Sequence, residues 1–126
     1  MDAYSSFETP FQYSDNDSYI RAIRENMIRK NGDIKRSAFR SNRGGVSVTR
    51  CNDELYDEAM GYMKTHFSGY MGIFKTQVCD SAGIFQTHKP SPGHNAHHWE
   101  LFGNEEREEL STMQIGSIIE NIKIAV

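Results

Sequence analysis

The chain reads as one α+β domain carrying a mostly antiparallel sheet of about three to five strands and two or three helices. Three observations lead there. Its 126 residues, 37% hydrophobic and 25% charged, are the length and composition of a single globular core. Two segments, Val46-Ser47-Val48-Thr49-Arg50 and Ala96 to Phe102, alternate apolar and polar positions as half-buried strands do. Other segments space their apolar residues for helices.

Residues 1–16 are polar and aromatic without a period, and read as an N-terminal arm or coil held by Phe7, Phe11 and Tyr13. Residues 17–126 form the single domain. Its first helix is expected after a cap at Asp17 or Ser18, with Tyr19, Ile20, Ile23, Met27 and Ile28 as its apolar stripe and Asn31-Gly32 as its stop. A basic turn through Ser37-Ala38-Phe39-Arg40 follows. Gly44-Gly45 then introduces the Val46–Arg50 strand, whose apolar face is Val46 and Val48 and whose polar face is Ser47 and Thr49. Asn52 or Asp53 caps a second helix with Tyr56, Ala59, Met60, Met63 and Phe67 buried, ending near Ser68-Gly69.

Tyr70 to Val78 reads as a strand, Cys79 to Gly83 as a turn and Ile84 to Thr87 as a further short strand. Pro90-Ser91-Pro92-Gly93 is a loop that delivers the chain into the histidine-rich strand. Ser111-Thr112-Met113-Gln114 has the form of a capping box before a helix using Ile115, Ile118, Ile119 and Ile122. The last five residues alternate and can instead leave that helix as a terminal strand.

Charge is unevenly distributed. Residues 1–50 carry nine Lys and Arg against six Asp and Glu, so the first half is basic although the whole chain has a net charge of −3. Glu105, Glu106, Glu108 and Glu109 crowd a later acidic stretch. With a sequence pI near 5.9, a duplex nucleic acid is not expected as a partner. The opening MDAYSSFETPF has neither a basic n-region nor an apolar h-region, and the apolar runs are short, so no membrane partner and a cytoplasmic location are expected. Cys51 and Cys79 form no CxxC and are expected to stay reduced.

The segment His94-Asn95-Ala96-His97-His98-Trp99-Glu100-Leu101-Phe102 holds three of the five histidines and the one tryptophan. As a strand it puts Ala96, His98, Glu100 and Phe102 on one face and His97, Trp99 and Leu101 on the other. An imidazole and a carboxylate thus share a surface, where they can move a proton or grip a polar ligand. Adjacent His97 and His98 face opposite ways, so no metal site is expected. His98-Trp99-Glu100 has the His-x-Glu form of zinc nucleobase deaminases, but no cysteine follows Cys79 to complete that pattern. No motif names a cofactor.

Ser37-Ala38-Phe39-Arg40, then Gly45 to Arg50, then a helix, then Asn95-x-x-His98-x-Glu100-Leu101 resembles a set of small bacterial proteins with the same order of short motifs, over residues 30–103. That resemblance implies a common cleft built from Arg40, Ser47, Arg50, His98 and Glu100. The chain is also similar to ADP-ribosyltransferase-like enzymes in the order Arg36 or Arg40, Ser47-Val48-Thr49, helix, Glu100, with His98-Trp99-Glu100 standing where those enzymes carry Glu-x-Glu or Gln-x-Glu. This second similarity implies Ser47 in a nicotinamide-ribose pocket, an arginine on phosphate and Glu100 against an oxocarbenium ion.

The functional expectation is a polar cleft that binds or acts on an anionic, nucleotide-like small molecule. His98 and Glu100 are its candidate catalytic residues; Arg40, Ser47, Thr49 and Arg50 are its candidate ligand-binding residues. The alternative is a non-catalytic interaction or regulatory subunit of a bacterial or phage conflict system, meeting a protein partner through the Glu105–Glu109 edge or the apolar C-terminal helix.

Overall fold

A computed structural model describes residues 12–41, 44–91 and 93–125. Phe7 and Phe11 of the expected arm lie outside them. The sheet has six strands, in the order β4-β5-β2-β1-β3-β6, where β1 is Ser18–Ile23, β2 Val46–Cys51, β3 Tyr70–Lys75, β4 Phe85–His88, β5 His98–Phe102 and β6 Lys123–Ala125. Every pairing is antiparallel. The α+β class stands, with six strands rather than three to five. Among the described residues, three α-helices accompany the sheet: α1 (Tyr56–His66), α2 (Thr76–Ser81) and α3 (Thr112–Asn121).

The first expected helix is instead β1, followed by a short 3₁₀ turn at Glu25–Met27. The reason lies in its position. β1 sits between β2 and β3 with both faces covered, so consecutive Tyr19 and Ile20 are both fully buried, in different cores. A strand apolar on both faces loses the alternation that marks a half-exposed one, and its residues then imitate a helical stripe. The expected cap Asp17 is a buried acid bonded to Arg50.

The strand expected over Tyr70 to Val78 ends at Lys75, and Cys79 belongs to α2 rather than to a turn. Lys75 pairs with Ser18, the first residue of β1, and the next amide, Thr76 N–H, donates to Asp17 O at 3.0 Å. With its partner strand exhausted, the chain coils and turns Cys79 into the core. α1 stops at His66, leaving Phe67 47% exposed rather than on the buried stripe. Its entry is held by Asn52 Oδ1, which accepts the Leu55 N–H at 2.8 Å.

One sheet face carries Tyr19, Val46, Val48, Phe74 and Leu101 under α2, α3 and the 3₁₀ turn Arg36–Phe39. The other carries Ile20, Cys51 and Met71 under α1. Because α1 contacts β1, β2 and β3, it covers only part of its face. Cys51 and Cys79 are free thiols in these separate cores, each pushed up to about 12 by burial. Among the described residues, no helix is long and apolar enough to cross a membrane.

The capping box of α3 is complete: Ser111 Oγ accepts the Gln114 N–H at 3.1 Å and Gln114 Oε1 accepts the Ser111 N–H at 2.8 Å. The Gln114 amide nitrogen also donates to the carbonyls of Ala82, Gly83 and Gly103 at 3.3, 3.3 and 3.0 Å.

β1 and β2 pair only as far as Ile20 with Thr49, although both strands continue. In the opening between them, the Arg21 guanidinium donates to Ser47 O at 2.8 Å and to Ala38 O from Nε and Nη2 at 3.2 and 3.1 Å. A charged side chain thus satisfies carbonyls at the split.

Candidate functional site

Where α1 leaves the sheet bare, the surface of β2 and β5 forms the floor of a groove of about 620 Å³. Antiparallel pairing sets Ser47 opposite Glu100 and Thr49 opposite His98, so the four share one face. Gly45 and Phe102 continue that floor. Tyr62 of α1 forms one wall, and Lys89, Ser91 and Asn95 of the β4–β5 connection form another. Arg107 closes an end, its guanidinium carbon 5.6 Å from the Phe102 ring centre.

His98 is tightly oriented. Its Nδ1 lies 2.8 Å from Lys89 O, and Lys89 N–H donates to His98 O at 2.9 Å. A carbonyl can only accept, so the proton sits on Nδ1, and in the neutral ring Nε2 carries the lone pair. Glu100 is held by the same residue through its other end: Lys89 Nζ lies 2.9 Å from Glu100 Oε1. Lys89 therefore organises both members of the expected His–Glu pair. The carboxylate does not orient the imidazole, which separates this arrangement from a Ser-His-Glu triad even though Ser47 is adjacent.

The floor is shaped for that carboxylate. A Cβ at residue 45 would collide with Glu100 Oε2 and stand 2.8 Å from Phe102 Cζ, so any side chain there would displace the carboxylate or the ring. Asn95 is buried and fixes the loop: its Nδ2 donates to Thr49 Oγ1 at 2.9 Å and its Oδ1 accepts the His97 N–H at 3.0 Å.

Of the six sequence-predicted site residues, Ser47, His98 and Glu100 line the groove together. Thr49 lies beneath them, 2% exposed, its hydroxyl donating to Met63 Sδ at 3.3 Å. Arg50 does not join. Its side chain lies on the opposite sheet face, paired with Asp17 at 2.9 Å and stacked 4.5 Å from the Trp99 ring. Arg40 is exposed and lines a different concavity with Arg21 and Arg24. Lys89 and Arg107 occupy the cationic positions expected of those arginines. Neither carried periodicity in the sequence; the one available signal for Arg107 was its being the single base within the Glu105–Glu109 run.

The remaining histidines of the run diverge. His97 is buried on the far side, with Nδ1 2.9 Å from the Tyr13 hydroxyl, and His94 is exposed. His88 stacks on Trp99 at 5.0 Å. Among the described residues, no group of three His, Cys, Asp or Glu is arranged to hold a metal ion. The groove is thus defined by an oriented imidazole, an ion-paired carboxylate and a second cation over a polar floor. Compared with known protein families, curated proteins and solved structures, the chain matches none of them.

Proposed function

We propose that this groove binds an anionic, nucleotide-like small molecule. The observation that carries the reading is the double attachment of His98 to Lys89, which holds one ring nitrogen on a carbonyl and leaves Nε2 as the hydrogen-bonding and proton-accepting atom. Arg107 and Lys89 supply positive charge against Glu100, the one lining carboxylate among the described residues. Ser47 and Ser91 add hydroxyls, and about 620 Å³ is the scale of a small-ligand site. In this reading Glu100 positions Lys89 and meets ligand donors, and any chemical step draws its proton acceptor from His98.

The test is calorimetric titration with nucleoside mono-, di- and triphosphates. One or more should bind, and His98→Ala and Arg107→Ala should each weaken binding about tenfold or more, the cost of a lost charge-assisted or buried hydrogen bond. No binding by any of them, or unchanged affinity in both variants, overturns the reading.

A second reading, as a non-catalytic interaction or regulatory subunit of a bacterial or phage conflict system, would use the exposed run Glu105 to Glu109 and Met113, which is 85% exposed. It predicts that Met113→Lys disrupts a complex while leaving the groove's ligand affinity intact.

A further inference from the structure

A second concavity, of about 450 Å³, opens at the split between β1 and β2, and its charged lining is arginine alone: Arg21, Arg24 and Arg40, beside Ser37 and Met27. Arg21 is the fixed member. Three of its five N–H donors are engaged, all by the neutral carbonyls of Ala38 and Ser47, so its hydrogen bonds are made while its charge is left uncancelled. Burial, and secondarily the charge of Arg24, pull its pKa down.

Arg24 and Arg40 are exposed and come from separate 3₁₀ turns. Arg24 O accepts the Met27 N–H at 2.9 Å, and Arg40 N–H donates to Ser37 O at 3.3 Å. Among the described residues, none of these three arginines belongs to an ion pair. The carbonyls at the split account for Arg21. They do not account for two further guanidinium groups on the same hollow, where like charges repel. A bound anion does.

We propose that this concavity is a phosphate-monoester site, separate from the groove. Three arginines lining one hollow suit a dianionic tetrahedral group with several acceptor oxygens better than a singly charged carboxylate. Arg21 forms the preset base of the site, and Arg24 and Arg40 close on the ligand from either side. The volume exceeds a phosphate ion, leaving room for the ester's organic part. Arg40, expected from the sequence to bind ligand, does so here rather than beside His98.

The experiment is an amide ¹H–¹⁵N titration of the full chain with inorganic phosphate, with sodium chloride at matched ionic strength as control. Phosphate should shift the amides of residues 21–24 and 37–40 saturably, and chloride should not. The double variant Arg24→Gln/Arg40→Gln, which leaves the carbonyl bonds of Arg21 in place, should keep the unfolding midpoint and lose about tenfold or more in phosphate affinity. Equal shifts with chloride, shifts confined to residues around Lys89 and Arg107, or undiminished affinity in the double variant would each overturn the site. Because groove and concavity report through different amides, failure here is distinguishable from failure of the nucleotide reading. Dimethyl phosphate shifting the same amides as strongly as phosphate would replace the monoester assignment with a diester one.

Discussion

Two ion pairs of the same 2.9 Å length lie on opposite faces of this sheet, and their surroundings give them different work. Asp17 and Arg50 are sealed, with side chains 1% and 11% exposed, and Arg50 also donates to Ser14 O at 3.0 Å, tying the start of the described chain to the sheet. Lys89 and Glu100 are 66% and 15% exposed and face the groove. The first pair is inaccessible to a ligand. The second can exchange its solvated lysine for a ligand group, because an ion pair with an exposed partner contributes little to stability.

Substitutions can break this contrast. Arg50→Ala should have the largest effect, about 3–5 kcal/mol in urea unfolding, since it leaves the Asp17 carboxylate buried without its cation. A loss below about 1 kcal/mol would put this pair in the exposed class and erase the distinction. Gly45→Ala comes next. Forcing a methyl against Glu100 and Phe102 should cost about 1–3 kcal/mol and, by displacing the carboxylate, weaken nucleotide binding as well.

Lys89→Ala sharpens the contrast from the other side: at most about 1 kcal/mol of stability, with a clear loss of ligand affinity measured by calorimetry. Glu100→Gln should be the mildest for the fold, within about 0.5 kcal/mol, while still weakening binding. If Glu100→Gln unfolds the protein, the groove carboxylate is structural and the two pairs are alike.

Much of the groove was legible because alternation is a local property. β2 and β5 carry Val46, Val48 and Leu101 on one face and Ser47, His98 and Glu100 on the other, so those faces could be read from parity. The same parity places Arg50 with Val46 and Val48; assigning it to the cleft followed the resemblance of the motif order and the basic character of the Ser37–Arg50 segment instead. β1 was illegible for the opposite reason. With both faces buried it has no polar side, and the tertiary neighbours that make it a strand lie about 30 and 50 residues further along the chain. The end of β3 likewise depends on where β1 begins. Lys89 and Arg107 sit in connections, where side-chain direction is set by turns rather than by a period, and Arg107 takes a left-handed φ of 64° that no pattern announces.

Gln114 limits what may stand at the head of α3. By the capping rule, glutamate and glutamine are interchangeable three residues after the serine, since either offers an oxygen to the Ser111 amide. Here the other half of the amide faces three carbonyl oxygens from two separate loops. A carboxylate would keep the cap and turn a donor into a repelling charge. Two residues that one helix treats as synonyms are therefore distinguished by the loops behind it, and the permissible alphabet at this position is narrower than the motif suggests.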